Sequence, residues 1–203
     1  EQACLKKLKL FMGKTRLEAF SDGVIAIIIT IMVLEMKVPH GDQLNNLTPL
    51  LPVFISYLLS FVNVAIYWNN HHHMLHAASK VNGKVMWANM HFLFWLSLFP
   101  FVTGWMGENH FTTLPIALYG VVLLMAGISY YILSQVLIRL HGEHSTLATA
   151  VGKDKKGIIS VVIYALAIPL SFINGYIGLA LYALVAAIWM IPDQRIEKKL
   201  DTN

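Results

Sequence analysis

The sequence predicts an all-α integral membrane protein with six transmembrane helices. Of its 203 residues, 57% are hydrophobic and only 13% are charged, and the mean hydropathy is +0.61. A soluble domain carries roughly 25% charged residues, so this chain has too little polar surface to fold in water. The abundance of apolar residues excludes a disordered chain. A single cysteine, Cys4, excludes an internal disulfide framework and a thiolate metal cluster.

Six apolar runs, separated by short polar breaks, give the predicted helices. A membrane-spanning helix needs about 20 predominantly apolar residues, with a range of about 17 to 25. The last two runs are the shortest, and Asn174-Gly175 separates them. We predict one transmembrane domain over residues 1–203, with spans at about 17–36, 50–68, 85–106, 114–138, 158–173 and 176–191.

The positions of the basic residues favour a count of six. Fourteen of the 15 Lys and Arg residues fall on one side of the predicted membrane, and only Lys37 falls on the other. The positive-inside rule makes the first side cytoplasmic, so both ends of the chain are predicted to be cytoplasmic. Five or seven spans would remove this asymmetry. We interpret the first run as a helix and not as a signal peptide, because no small-residue cleavage site follows it.

The first helix carries charged residues at its cytoplasmic end. Arg16, Glu18 and Asp22 open the span, and Gly23 to Leu34 is then apolar except for Thr30. Charges at membrane depth are unfavourable, so they mark functional candidates. Arg16 and Glu18 suit an interfacial position equally well, because side chains at helix ends reach the interface readily. Asp22 has a short side chain and lies deeper in the span.

Helical geometry gives this first helix two faces. At 100° per residue, one stripe holds four residues: Ile27, Thr30, Ile31 and Leu34. Asp22 lies on nearly the opposite side from Ile27. We expect the polar face to pack against neighbouring helices, where Trp68, His71, His72, Trp87 and Asn89 offer hydrogen-bonding groups at a similar depth. The aliphatic stripe then faces either lipid or a symmetry axis.

A known family shares these features. Arg16, Phe20, Ser21 and Asp22 spell an RxxxFSD signature at the head of the first span. The chain resembles a prokaryotic member of the endosomal and lysosomal potassium channel family that carries this signature. The resemblance covers nearly the whole chain and includes further segments: Trp68 to His72, Trp87-x-Asn89 and Phe99-Pro100-Phe101.

The resemblance implies a potassium-selective cation leak channel in the inner membrane of a prokaryotic cell. Four copies of the chain would form a homotetramer with the first helices around a central pore. It implies a hydrogen-bond network that holds the first helix without contacting the ion: Arg16, Phe20, Ser21, Asp22, Trp68, His71, His72, Trp87 and Asn89. The expected partners are the lipid bilayer and monovalent cations, with no nucleic acid and no cofactor beyond the permeant potassium ion.

The resemblance also gives the aliphatic stripe a role. Ile27 would form the narrowest ring of the pore, with Ile31 and Leu34 as further rings, and such a hydrophobic gate closes by dewetting. The sequence has no TVGYG-like filter loop. Thr30 either offers an oxygen to a partly dehydrated cation or bonds the carbonyl one turn back. A pore with so few oxygen ligands for the cation implies only moderate selectivity for potassium over sodium.

Three other classes of function are weaker interpretations. A proton-coupled secondary ion transporter is the main alternative, and it would require Asp22 or a histidine to titrate during transport. An enzyme is not expected, because Ser21 and Asp22 are adjacent on one helix and point about 100° apart. No metal site is expected either, because no cysteine or carboxylate near His72 and His76 completes a set of ligands.

Overall fold

Apolar helices make up most of the part of the chain that the structure describes. The computed structural model describes residues 2–142, 145, 147–148 and 155–190. Every regular element in these ranges is helical, so the all-α prediction is confirmed for them. The elements are α1 (Gln2–Leu34), a short 3₁₀ helix (Leu44–Leu50), α2 (Leu51–Ala77), α3 (Gly83–Ser97), α4 (Phe99–Glu108), α5 (Thr113–His141), α6 (Lys155–Ser171) and α7 (Gly175–Met190).

Six helical segments fit the six predicted runs. Four described segments are long and apolar enough to cross a membrane: Gly13–Leu34, Leu44–Ala77, Gly83–Glu108 and Thr113–His141. Helices α6 and α7 are shorter apolar helices of 17 and 16 residues. The chain is therefore a multi-span membrane protein.

The third segment differs from a single continuous helix. It consists of α3 and α4, which meet at Leu98. Pro100 lies in the first turn of α4, where its missing N–H is tolerated. Inside an unbroken helix, Pro100 would lose the bond to the carbonyl one turn earlier and its ring would clash with that carbonyl. The helix is therefore interrupted at Leu98, within the span that the hydropathy predicts over 85–106.

Helix α2 continues well past the predicted end of its apolar run at residue 68. Its 27 residues correspond to a length of about 40 Å, whereas the hydrocarbon core of a bilayer is about 30 Å thick. The last turns contain the histidines of the sequence Asn69 to His76. These residues lower the hydropathy without breaking the helix, which ends at Ala77.

Lysine side chains join neighbouring segments on the two sides of the bundle. At the end that carries Lys14, Arg16, Lys80, Lys84 and Arg139, here called the basic end, Lys14 Nζ donates to the carbonyl of His76 at 3.2 Å. At the opposite end, Lys37 Nζ contacts Glu108 Oε1 at 2.8 Å. The hydrogen bond to Glu108 and the charge of that carboxylate raise the pKa of Lys37 above its usual value.

Glycines allow several helices to approach closely. Gly120 of α5 packs against the buried Tyr182 side chain of α7, and Gly178 of α7 packs against Ser171. Gly107 of α4 lies against α2, where an added Cβ would be 2.6 Å from Val53 Cα. Small residues at helix contacts are the usual way to pack helices in a membrane, where burial of apolar surface gives no driving force between helices.

Replacing Gly107 by alanine is expected to destabilise the protein by about 1–3 kcal/mol, because the added methyl group would meet the backbone of Val53 as well as the Ser56 hydroxyl, and the backbone cannot move aside as a side chain can. The measurement is the temperature at which detergent-solubilised protein loses its monodisperse chromatographic peak. Gly104→Ala is the matched control on the same helix, since its Cβ would meet nothing within 4 Å. Equal midpoints for the two variants would contradict close packing of α2 against α4.

Candidate functional site

Helix α1 has one buried face and one exposed face. The buried face is a stripe at helical spacing, each member at most 5% exposed: Leu17, Ser21, Ile25, Ile28 and Met32. It packs against α2, α3 and α4. The predicted aliphatic stripe lies on the exposed face, where Ile27 is 59% and Leu34 is 73% exposed. The fold of the single chain therefore leaves this stripe exposed, to lipid or to another copy of the chain.

Thr30 lies on the exposed face of α1 and bonds its own helix. Its Oγ1 donates to the carbonyl of Ala26 at 2.9 Å. The bond to the carbonyl one turn back, one of the two predicted roles of this hydroxyl, is therefore present in the single chain. The bond uses the hydroxyl hydrogen and leaves the lone pairs of the oxygen directed away from Ala26.

A buried hydrogen-bond network fixes the basic half of α1. Ser21 Oγ donates to the carbonyl of Leu17 at 2.8 Å, and Asn89 Nδ2 of α3 donates to Ser21 Oγ at 2.9 Å. Asn89 Oδ1 lies 2.7 Å from His71 Nε2 of α2. Because this amide oxygen only accepts, His71 carries its hydrogen on Nε2. Side chains from three helices thus meet around Asn89, which is fully buried.

A second contact joins α1 to α2 nearer the surface. Trp68 Nε1 donates to Asp22 Oδ1 at 2.9 Å. The indole ring of Trp68 also stacks on the imidazole of His72, with 5.8 Å between centroids and 23° between planes. Asp22 is therefore hydrogen-bonded to α2 within the chain. His72 joins the group by stacking on Trp68.

Three predicted members of the network lie outside it. Phe20 is 52% exposed and Trp87 is 79% exposed. Among the residues that the structure describes, Arg16 has no hydrogen-bond or ion-pair partner. The reason is helical geometry: Arg16 and Phe20 are one turn apart and share the exposed face with Ile27. Within the described part of one chain, these three side chains make no hydrogen bond or ring contact with the network, and their part in it stays a prediction.

A polar cluster near the middle of the bundle was not predicted from the sequence. Ser60 Oγ of α2 lies 2.7 Å from Thr103 Oγ1 of α4 and 3.2 Å from the hydroxyl of Tyr119 of α5. Asn63 Nδ2 is 3.5 Å from the same hydroxyl. Thr103 also contacts Met32 Sδ at 3.9 Å, which connects the cluster to the buried face of α1.

Two histidines of α2, His72 and His76, stack on each other. The rings of His72 and His76 have centroids 6.2 Å apart and planes inclined by 20°. Within the described ranges, no group of three or more His, Cys, Asp or Glu side chains is placed to hold a metal ion.

Comparisons with known proteins identify the family. A sequence profile described as Endosomal/lysosomal potassium channel TMEM175 matches residues 16–100. A potassium channel of Chryseobacterium sp. (strain P1-3) is 55% identical over 192 residues, which cover 95% of this chain and 100% of that protein. The chain belongs to the TMEM175 family. A potassium channel of Streptomyces collinus is 28% identical over 182 residues, or 84% of this chain and 88% of that protein.

A solved TMEM175 relative has the same arrangement of helices. The crystal structure of a lysosomal potassium-selective channel TMEM175 homolog from Chamaesiphon minutus matches with a TM-score of 0.77 and 25% sequence identity. The match covers 89% of this chain and 97% of that one. The TMEM175 profile begins at Arg16, so the matched segment contains both the exposed stripe of α1 and the buried network around Asn89.

Proposed function

We propose that this protein is a potassium-selective cation channel in which four copies of α1 line a central pore. The observation that carries the proposal is the exposed aliphatic stripe of α1, in a chain whose family is one of ion channels. The opposite stripe of the same helix is buried in the chain, and the exposed stripe is about as apolar as the buried one. The exposed stripe is therefore suited to pack against a further apolar surface.

The residues beside the stripe favour another protein helix over lipid as the neighbour of α1. Gly23, Ala26 and Thr30 are small, exposed and spaced by three and four residues. Small residues at this spacing let helix backbones approach each other closely. Arg16 and Trp87 are also exposed without a partner in the described protomer. A neighbouring copy of the chain would give both side chains a partner and would complete the proposed network.

The proposed pore works through rings of aliphatic side chains. Ile27 forms the constriction, and Ile31 and Leu34 form wider rings toward the other end. A narrow apolar ring excludes water, so an ion passes only when the ring widens or wets. Thr30 oxygens beside the ring would replace part of the hydration shell of a potassium ion. Because these oxygens are few, the pore favours potassium over sodium only moderately. Potassium is the proposed permeant ion, and the proposal includes no resident cofactor.

The buried network has a mechanical role in this proposal. Ser21, Asp22 and Asn89 hold the buried face of α1 against α2 and α3, which fixes the direction of the opposite face toward the axis. The basic end is proposed to be cytoplasmic, because the positive-inside rule places Lys and Arg there. Both ends of the chain are then cytoplasmic, and the bilayer is the inner membrane of a prokaryotic cell.

Recording from purified protein in a planar bilayer tests the proposal. With potassium on one side and sodium on the other, we expect discrete unitary currents that reverse toward the potassium equilibrium potential. Native mass measurement of the same sample is expected to give four chains. Absence of unitary currents, together with saturable ion uptake into liposomes that follows a proton gradient, would instead establish the proton-coupled transporter.

A further inference from the structure

A cavity of about 240 Å³ lies among α2, α5, α6 and α7, in the half of the bundle nearest the basic end. Its walls are mostly aliphatic and aromatic, and include Ile66, Ile128, Val161 and Trp189. Gly127 keeps the space open. A methyl group there would meet Tyr67 and Val161 at ordinary contact distances of 3.5 and 3.6 Å.

Polar side chains in the cavity wall make their hydrogen bonds within the protein. Asn70 Nδ2 donates to the carbonyl of Ile66 at 2.8 Å, and the Tyr67 hydroxyl donates to the carbonyl of Leu123 at 3.3 Å. Trp189 Nε1 donates to Ser160 Oγ at 2.8 Å. These three donors are therefore already used inside the protein. A dry apolar cavity of about 150 Å³ is already large enough to hold benzene, so the larger cavity here suits a hydrocarbon chain.

The cavity is open on the outer side of the bundle. Three of its lining residues are also exposed there: Ile158 at 60%, Val162 at 52% and Tyr131 at 46%. In a membrane protein, an apolar opening at this depth faces the acyl chains of the bilayer. The most abundant hydrocarbon that can enter sideways is therefore a lipid tail.

A positive charge lies beside the end of the cavity where α6 begins. Lys156 Nζ is 6.0 Å from the centre of the Trp189 ring, and that ring lines the cavity. Lysine and tryptophan together are typical of the headgroup level of a membrane. A basic side chain at this level attracts anionic lipids. We propose that the cavity binds one acyl chain of an anionic phospholipid, whose headgroup lies at Lys156.

Lipid retained by the purified protein tests this site, and the test does not depend on channel activity. After reconstitution with phosphatidylglycerol and re-extraction, we expect about one bound lipid per chain by native mass spectrometry. Gly127→Leu fills the cavity and is expected to lower retention at least about tenfold, since each displaced methylene changes affinity about fourfold. Gly104→Leu on α4 is the matched control and is expected to retain lipid, because a Cβ there meets nothing within 4 Å.

A second measurement uses the unmodified cavity. Phosphatidylglycerol with brominated acyl chains is expected to quench tryptophan fluorescence saturably, and Trp189→Phe is expected to remove the saturable part. Lys156→Gln is expected to reduce retention of phosphatidylglycerol to the level of phosphatidylcholine.

Several results would overturn the proposal. One is full lipid retention by folded Gly127→Leu, and another is equal retention of phosphatidylglycerol and phosphatidylcholine by the parent protein. The others are binding of free fatty acid without phospholipid, and saturable quenching of tryptophan fluorescence that persists in Trp189→Phe.

Discussion

The Asn89→Leu variant is expected to be less stable than the parent protein by about 1–3 kcal/mol, the usual effect of leaving a buried polar group without its partner. Asn89 is fully buried and joins Ser21 to His71. Leucine has a similar volume and leaves the Nε2 hydrogen of His71 without an acceptor. Ser21 is affected less, because its hydroxyl still donates to Leu17. A hydrogen bond in a membrane protein averages only about 0.6 kcal/mol, so the unpaired histidine dominates the effect.

The measurement for Asn89→Leu is the fraction of assembled protein after heating, followed by size-exclusion chromatography. Asn109→Leu is the control: Asn109 is exposed at the C-terminal end of α4, and its side-chain amide donates to the carbonyl of Trp105 in the last turn of that helix, at 2.8 Å. Ion selectivity of the Asn89→Leu protein that remains assembled is expected to match the parent. A shifted reversal potential with unchanged thermal stability would show that Asn89 acts on the ion path and not as a support.

The two faces of α1 show how much of the packing of this helix the sequence periodicity predicts. The positions of Ser21 and Asp22 predict which side meets α2 and α3, and the structure places contacts there. The sequence periodicity does not decide whether the exposed side faces lipid or a symmetry axis, and the reason is physical. Ile25 and Ile28 are buried while Ile27 and Ile31 are exposed, although all four are isoleucines. Lipid tails are as apolar as a protein core, so hydropathy does not separate these surroundings.

The polar cluster at Ser60 was missed although the second span contains a signal for it. Ser56, Ser60 and Asn63 follow a spacing of four and three residues, so they lie on one face of α2. This pattern indicates a buried polar face. The partners of Ser60 are Thr103 and Tyr119, which are isolated polar residues in other apolar runs. Only the packing of α4 and α5 against α2 brings them to Ser60, and pairing of distant helices is not encoded in local periodicity.

Helix lengths were also only partly predictable. Hydropathy gives the length of an apolar run and not the length of the helix that contains it. Helix α2 therefore continues for nine residues beyond the apolar run predicted to end at residue 68. In the third span, the break at Leu98 follows from Pro100, whose effect on backbone hydrogen bonds does not enter a hydropathy average.

Replacing Ile27 by asparagine is expected to increase the potassium leak at least about tenfold, which corresponds to a barrier lower by about 1.4 kcal/mol. The proposed tetramer would carry four amides in place of four aliphatic side chains at the narrowest ring. Amides hold water where isoleucine excludes it, so the constriction is expected to stay wet and to pass ions without first widening. The measurement is potassium efflux from liposomes, together with unitary currents in planar bilayers.

Ile132→Asn on α5 controls for the introduction of an amide into the membrane, since Ile132 is 38% exposed on a helix outside the proposed pore. It is expected to leave the leak unchanged. Equal leak from the parent protein and Ile27→Asn, with both assembled as tetramers, would place the pore elsewhere. Increased flux that remained saturable and coupled to protons would favour the transporter. Increased unitary current with reduced potassium preference would support both parts of the proposal, because a wetter ring removes less of the hydration shell that distinguishes potassium from sodium.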